Sequence, residues 1–404
     1  MREMKIPFGT ITITDKSKKL ILDCLNKGRI SGGKYVREFE ERFADIVGVK
    51  EAVAVSSGTD ADTLSLAVLH DIGGQRGDEV IAPALSFVAT GNAILHAGFT
   101  PVFVDIDTET LNIDPKMIEK AITGRTRAII PTHLMGKPAA MDKINTIAKK
   151  HNLIVVEDAA EAYGARYRGK NIGTLGDMGA FSLYVAHIIT TGEGGIVVTD
   201  NTQFAEILRS LRTHGRSCKC KQCISNTSSG FCEKRFKNGE RGDIRFIFER
   251  IGYSSKMNEL EAALGLGNLD LYDEILRKRY HNLISIMERF EEFSTYLWTF
   301  KEESYERIGP HAFPFVIKKD APFSRDELLL YLEHHGIDGR TLFSCIPTQC
   351  GGYEFLGHKI GDFPNAEHIG CNGIHIGVHH DISDEDIDWF YRCLRNFINQ
   401  RENQ

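Results

Sequence analysis

A serine-rich turn near the start of the chain has residues that could bind a phosphate. Ser56-Ser57-Gly58-Thr59 follows the apolar run Ala52–Val55 and precedes a segment of helical character. The free backbone N–H groups and the dipole at the start of a helix favour an anion. An ordinary helix N-cap uses the same residue types. The turn is therefore a candidate phosphate site, with a purely structural cap as the alternative.

A single aspartate could bind the charged ring of a ligand. Asp158 follows the apolar run Leu153–Glu157, so it is expected at the carboxyl edge of a strand. A carboxylate in that place can pair with a protonated ring nitrogen, and the charged ring can then accept electrons. The alternative is a structural aspartate that caps a turn.

Cysteines provide the third chemical feature. The chain has nine, and four of them, Cys218, Cys220, Cys223 and Cys232, fall within 15 residues. Four thiolates this close together could bind a structural zinc ion, with no bound metal as the alternative. The other five are scattered, and we expect most of them to be free, inert thiols.

The elements that must position these residues alternate along the chain between short β-rich runs and amphipathic segments. Helical patterns include Met117–Ala121 and Met141–Lys150. Such alternation is typical of a mostly parallel sheet covered by helices on both faces, and ligands of such sheets collect at the carboxyl ends of the strands. The predicted strands are Asp78–Ala82, Pro101–Asp105, Arg127–Pro131, Leu153–Glu157, Gly179–Leu183 and Gly195–Thr199.

Three segments follow from this pattern. Residues 1–214 are predicted to form a large α/β domain that contains the candidate phosphate and ring-binding residues. Residues 215–250 are rich in Cys, Lys and Ser, and we interpret them as an irregular insert. Residues 251–404 are predicted to form a smaller α+β domain. A long helical pattern starts at Met257, and the last helix is predicted to be capped near Ser383.

The bulk properties exclude several function classes. The 404 residues carry a net charge of −6 without a dense basic run, so a general nucleic-acid surface is not expected. The N-terminus lacks the pattern of a signal peptide, and no apolar stretch approaches the ~20 residues of a membrane span. We therefore expect a cytoplasmic protein.

Several motifs together resemble the DegT/DnrJ/EryC1/StrS family of sugar aminotransferases over nearly the whole chain. The resemblance implies an α/β architecture of the aspartate-aminotransferase-like type (fold type I), a pyridoxal or pyridoxamine 5′-phosphate cofactor and a homodimer with the cofactor at its interface. The motifs are Ser57-Gly58-Thr59, Gly77–Ile81, Pro101–Asp107, Glu157–Ala160, Gly176-Asp177, Phe181-Ser182, Gly192–Gly195 and Gly252-Tyr253 with Met257 and Glu259.

The same resemblance assigns cofactor-binding residues. Asp158 would hold the pyridine nitrogen, and Phe87 would stack on the ring. Two positions depart from the family, which usually has Gln in place of Glu161 and Asn in place of Ser254; the Asn reaches the phosphate of the neighbouring subunit. The residues implied around the phosphate are Ser57, Gly58, Thr59 and Ser182.

The decisive departure is His187, which stands where the family has the lysine that links to the cofactor. An imidazole cannot form that link, but it can act as an acid or base near neutral pH. The replacement resembles the nucleotide-sugar 3-dehydrases of the CDP-4-keto-6-deoxyglucose type. The resemblance implies a nucleotide-linked 4-keto-6-deoxyhexose substrate, proton removal by His187 and loss of the 3-hydroxyl. The alternative is an inactive, non-catalytic homologue.

One branch of these dehydrases uses a [2Fe–2S] cluster fed by a reductase. Cys218, Cys220 and Cys232 match three of the four ligand positions of that branch, whereas the upstream position is Ala160. Cys223 could supply the fourth thiolate, and the electron donor would be a reductase or a ferredoxin-like protein. Zinc, or no metal, remains the alternative, and glutamate would then regenerate the amine cofactor in a non-redox dehydration.

The C-terminal segment offers two weaker indications. Gly339–Phe343 resembles a dehydrase segment, in which Arg340 could contact the substrate or serve only the structure. His379 and His380 stand next to a predicted turn, and such histidines are usually found at the surface.

Overall fold

The computed structural model describes residues 4–221, 223, 231–236 and 242–402 of the chain. Most predicted strands appear within two residues of their expected bounds. The strands are β1 (Glu51–Val55), β2 (Glu79–Pro83), β3 (Leu85–Ser86), β4 (Thr100–Val104), β5 (Thr126–Ile129), β6 (Ile154–Asp158), β7 (Arg166–Tyr167), β8 (Lys170–Asn171), β9 (Met178–Ser182), β10 (Gly195–Thr199), β11 (Leu297–Trp298), β12 (Glu306–Arg307), β13 (Ala312–Ile317), β14 (Gly339–Thr341), β15 (Ser344–Cys345) and β16 (Gly373–Gly377).

The helices surround the main sheet and form much of the C-terminal part. They are α1 (Asp15–Lys27), α2 (Lys34–Val47), α3 (Gly58–Ala67), α4 (Val88–His96), α5 (Pro115–Ala121), α6 (Met141–His151), α7 (Thr202–Leu211), α8 (Glu259–Asp270), α9 (Tyr272–Arg289), α10 (Arg325–His334), α11 (Ile346–Gln349), α12 (Pro364–Asn372) and α13 (Asp384–Glu402). Within the described ranges, no helix is long and apolar enough to cross a membrane.

The main sheet has seven strands in the order β1-β10-β9-β6-β5-β2-β4. The strands from β9 to β4 pair in parallel, whereas β10 runs antiparallel to both β1 and β9. Because β1, β6 and β9 run in the same direction, their carboxyl ends lie at one edge of the sheet. Ser57, Asp158 and Ser182 stand at or just after these ends, so the fold brings the predicted ligand-binding residues to one side.

A four-stranded antiparallel sheet in the order β11-β13-β16-β14 forms the centre of the C-terminal part. Its two central strands, β13 and β16, are buried, and Phe313 and Phe315 on β13 pack against Phe290. The single long helix expected from Met257 is two helices, because the chain leaves helical geometry at Leu271. The predicted cap of α13 is present, since the Asp386 amide donates to Ser383 Oγ at 3.3 Å.

The described part of residues 215–250 is irregular, apart from a short 3₁₀ turn at Ile244–Phe246. An isolated bridge between Arg216 and Phe248 closes the base of this segment. The segment boundaries at residues 214 and 250 stay predictions.

Candidate active site

The start of α3 forms a corner with the end of β9. Ser57 caps the helix: its Oγ accepts from the Asp60 amide at 3.0 Å. A Cβ on Gly58 would lie 2.7 Å from Ser182 Cβ, so only glycine allows the helix start to approach that serine. The corner therefore joins the first free N–H groups of a helix to a serine hydroxyl, a donor set that fits a phosphate.

Asp158 ends β6 with its carboxylate buried. Oδ2 accepts from Thr90 Oγ1 at 2.7 Å, and Oδ1 accepts from the Ala160 amide at 3.3 Å. Burial raises the pKa of Asp158 although these hydrogen bonds favour the charged form. A protonated ring nitrogen would offset the cost of that buried charge, so the site fits the pyridinium of the implied cofactor.

Phe87 lies at the mouth of this site, immediately before α4. Its side chain is 57% exposed, and its ring centroid lies 5.6 Å from that of Phe343. Behind it, Ser86 Oγ lies 2.8 Å from Thr90 Oγ1, the same hydroxyl that donates to Asp158. An exposed aromatic ring beside a buried carboxylate is suited to stacking on a planar ligand.

His187 lies in the loop between β9 and β10. Its Nδ1 atom is buried without a hydrogen-bond partner, and its ring centroid lies 5.1 Å from that of His311. Burial, together with the charge of Arg279, lowers the pKa of His187 to about 3. The imidazole is therefore neutral at neutral pH and has a lone pair available, which is the form that a general base requires.

Glu161 is buried beside these residues. Oε2 accepts from the Met135 amide at 2.7 Å, and Oε1 lies 3.6 Å from His311 Nε2. Burial raises the pKa of Glu161 to about 8, with a further contribution from Asp158. The acid that replaces the family's usual Gln is therefore mostly protonated at neutral pH.

Ser254 stands apart from this group. It is exposed, and its Oγ accepts from Lys256 Nζ at 2.9 Å. The next residue, Ser255, is buried and donates to Asp60 at the start of α3. The described contacts therefore anchor this segment next to the α3 corner and leave the Ser254 hydroxyl facing outward.

The four clustered cysteines are all free thiols; Cys223 is exposed and the other three are half-buried. Burial raises the pKa of Cys218, and the charges of Cys220 and Cys223 add to that rise. Across the described residues, no group of three or more His, Cys, Asp or Glu side chains is arranged to hold a metal ion. The metal site stays a prediction.

Sequence reasoning missed the buried residues that surround His187, namely His311, Arg279 and His375. Arg279 donates to the carbonyl oxygens of Pro310 and His311. These residues are far apart in the sequence and match no motif. The available signal was His311 itself, a polar residue directly before the apolar run Ala312–Ile317.

The expectation for His379 was wrong. His379 is 3% exposed, and its Nε2 atom is buried without a hydrogen-bond partner. Its neighbour His380 is half-buried, with Nε2 2.9 Å from Thr12 Oγ1. The N-terminal segment covers this turn, which the local pattern does not reveal. Arg340 is half-exposed and lies 3.8 Å above the Phe8 ring.

The sequence of this chain is similar to a known protein family and to several named enzymes. The sequence profile of the DegT/DnrJ/EryC1/StrS aminotransferase family matches residues 12–395. A dTDP-4-dehydro-2,6-dideoxy-D-glucose 3-dehydratase from Saccharopolyspora spinosa is 35% identical over 410 residues, covering 97% of this chain and 86% of that protein. A GDP-perosamine synthase from Caulobacter vibrioides is 35% identical over 389 residues, covering 95% of this chain and 96% of that protein.

Solved structures agree with the fold. The structure of an Escherichia coli GDP-4-keto-6-deoxy-D-mannose-3-dehydratase with bound hydrated PLP matches with a TM-score of 0.83 and 30% identity, covering 97% of this chain and 100% of that one. The predicted fold class and family resemblance are confirmed. The relatives include both 3-dehydratases and enzymes named for aminosugar synthesis, so the reaction has to be argued from the site.

Burial of Glu161 makes stability depend on pH. The folded pKa of about 8 lies above the unfolded value of 4.5, so the stabilising protonated form is lost as the pH rises through 8. The Glu161→Gln variant has no ionisable group at this position, so it does not lose stability in this way. We expect its unfolding free energy, relative to that of the unmodified protein, to rise by roughly 3–4 kcal/mol between pH 5 and pH 9. Denaturant unfolding at both pH values measures this, and a constant difference would contradict it.

The close contact behind the α3 corner gives a second prediction. A Cβ on Gly195 would lie 2.1 Å from the Ser57 carbonyl oxygen and 2.8 Å from the Gly58 nitrogen, and neither backbone atom can give way. We expect Gly195→Ala to cost about 1–3 kcal/mol of stability and to weaken binding of pyridoxamine phosphate. Gly124→Ala is the matched control, because nothing lies within 4 Å of its added Cβ. Unchanged binding in Gly195→Ala would contradict the assignment of the corner.

Proposed function

This chain belongs to the DegT/DnrJ/EryC1/StrS aminotransferase family, and from that premise we propose that it is a dehydratase rather than an aminotransferase. It acts on a nucleotide-linked 4-keto-6-deoxyhexose, removes the oxygen at C3, and uses pyridoxamine 5′-phosphate with His187 as the general base. The observation that carries this proposal is a neutral imidazole, with a buried and unpartnered ring nitrogen, in the place of the cofactor-linking lysine.

The residues present fit the cofactor. When bound, pyridoxamine 5′-phosphate would supply a nucleophilic amine and a pyridinium ring that accepts electrons. Asp158 would hold the proton on the ring nitrogen, because its buried carboxylate is stabilised by an adjacent cation. The α3 corner (Ser57, Gly58, Thr59 and Ser182) would hold the phosphate, and Phe87 would cover one face of the ring.

His187 decides between the two reactions found among the relatives. Amino transfer in this family depends on a lysine amine that links covalently to the cofactor, and an imidazole cannot form that link. A neutral imidazole can still accept a proton and return it, which removal of a hydroxyl group as water requires. The similarity to proteins named 3-dehydratases supports the same choice.

We also propose that the protein is a homodimer. Ser254 is exposed close to the α3 corner, and its hydroxyl can donate a hydrogen bond to a phosphate of the second copy. The resemblance to the family supports this role for the position, although Ser is shorter than the usual Asn.

Net removal of the C3 oxygen also needs electrons. We propose that an iron–sulfur cluster on Cys218, Cys220, Cys223 and Cys232 delivers them, and that a reductase or a ferredoxin-like protein feeds the cluster. The charges of Cys220 and Cys223 act on Cys218, and those of Cys223 and Cys232 act on Arg245, so the four thiols occupy one neighbourhood. A non-redox reaction, in which glutamate restores the amine cofactor, is the second candidate. The alanine at the upstream ligand position, Ala160, favours it.

Substitution of His187 tests the main proposal. We expect His187→Asn to lower the rate of keto-sugar dehydration roughly 100-fold or more, because the general base is lost. His187→Lys is expected to restore a covalent link to pyridoxal phosphate, trapped with borohydride and detected by peptide mass spectrometry, while dehydration falls. His281→Asn, at an exposed position on α9, is the matched control. Unchanged dehydration in His187→Asn would show that His187 is not the base.

Metal analysis tests the electron supply. In protein purified without oxygen, we expect iron and acid-labile sulfide in equal amounts, because thiolates ligate such clusters. Both should be lost in a Cys218→Ser/Cys220→Ser variant and retained in Cys371→Ser, which alters an exposed thiol far along the chain. Zinc, or no metal, together with turnover that depends on glutamate instead of a reductant, would overturn the cluster and support the non-redox reaction.

A further inference from the structure

A buried acid and a buried histidine lie directly behind His187. The ring of His311 is 5.1 Å from the ring of His187, with an angle of 31° between their planes. On its other side, His311 Nε2 is 3.6 Å from Glu161 Oε1. The three side chains form a row that starts at the proposed base and ends at a carboxyl group.

Two backbone segments fix this row. The Met135 amide donates to Glu161, and Met135 adopts the left-handed conformation with φ of 52°. The following residue, Gly136, accepts at its carbonyl from the Gly309 amide at 2.9 Å. His311 then follows on the same segment as Gly309, and its carbonyl accepts from Arg279. The hydrogen bond between Gly309 and Gly136 therefore joins the segment that binds Glu161 to the segment that carries His311.

The charges around the row locate its proton. His311 faces His187, Arg279 on α9, His375 on β16 and Arg340 on β14; burial and these neighbours lower its pKa well below the usual range. Glu161 faces Asp158, and burial raises its pKa to about 8. The contact at 3.6 Å therefore joins a carboxylic acid to a neutral imidazole, and the proton resides on Glu161.

A second buried pair in the same molecule shows what a purely structural arrangement looks like. His133 Nε2 lies 3.1 Å from Glu157 Oε2, and His133 Nδ1 accepts from the Ala139 amide. Glu157 also accepts from three backbone amides, those of Gly173, Leu175 and Gly176. Every oxygen and nitrogen of that pair is occupied.

The pair beside His187 is not saturated in this way. The Nδ1 atoms of His311 and His187 are both buried without a hydrogen-bond partner. Buried polar atoms of this kind are rare in structural pairs, because each one costs free energy. Because no hydrogen bond fixes Nδ1 of His311, this imidazole can change its protonation and tautomer in response to Glu161.

We propose that Glu161 and His311 form a proton-holding pair that sets the basicity of His187. Both are positioning residues, since they act through the ring of His187. Loss of the Glu161 proton places a negative charge behind His311, which makes both imidazoles easier to protonate. An amide at position 161 could not respond in this way. The link to catalysis rests on the proposed role of His187 as base, whereas the coupling between the three groups does not.

Ring NMR of the full-length enzyme with ¹³C-labelled histidine tests the coupling, as purified and with pyridoxamine phosphate added. The His187 signal is assigned by its loss in His187→Asn. We expect its Cε1 shift to change with a midpoint near pH 8, where Glu161 loses its proton. The change should vanish in Glu161→Gln, and in His311→Phe, which keeps an aromatic ring in place. It should return with a shifted midpoint in Glu161→Asp. His70, which contacts only backbone carbonyls through its ring nitrogens, is the reference signal.

Three results would overturn the proposal: a His187 signal that is flat from pH 6 to pH 10, a midpoint that persists in Glu161→Gln, or one that persists in His311→Phe. Circular dichroism confirms that each variant is folded. The pH profile of dehydration is measured on the same samples, and its limb near pH 8 should disappear in Glu161→Gln. Absence of dehydration alongside the expected titration would overturn the proposed function and leave the pair intact.

Discussion

The buried carboxylate of Asp158 is the constraint on which the rest of the site depends. It ends β6 at the edge where the other strands of the parallel sheet also end. Hydroxyl and amide donors and the nearby His133 favour its charged form, but burial outweighs them and raises its pKa. An anion in that position is expensive unless a cation joins it. The site is therefore incomplete without a positively charged ligand. Phe87 precedes α4, whose Thr90 donates to Asp158, and the α3 corner lies at the same edge of the sheet. A planar, phosphorylated cation is the kind of ligand that would suit all three features.

Positive charge lies close to His187 and His311. Arg279 is buried and its pKa is lowered to about 10 by burial, while Arg340 lies over Phe8. A lysine at position 187 would add a third cation to this region. A histidine there can stay neutral, and burial with Arg279 ensures that it does. The surroundings of position 187 are therefore consistent with the proposed imidazole that accepts and returns a proton.

Much of this arrangement follows from sequence patterns, because apolar β-rich runs and helix caps are local signals. The strands were placed within about two residues, and Ser57, Asp158 and Ser182 converge because strand direction brings their ends together. The antiparallel direction of β10 has no local signature. The turn that holds His379 and His380 is contacted by a segment more than 300 residues away in the chain, through Thr12 and His380. His311 and Glu161 meet through contacts between distant loops, which no spacing rule records.

Two acids of the site, Asp158 and Glu161, are three residues apart but differ in the protonation state that their surroundings favour. Burial raises the pKa of both, but only Asp158 is proposed to pair with a cationic ring. Glu161 faces His311 and the Met135 amide, and its charge would be added to that of Asp158. Ionisation of one therefore opposes ionisation of the other, and the ligand that favours the charge on Asp158 also favours the proton on Glu161. Pairs of groups whose environments separate their pKa values are a recurring source of acid–base roles. The end of β6 supplies such a pair beside a neutral histidine.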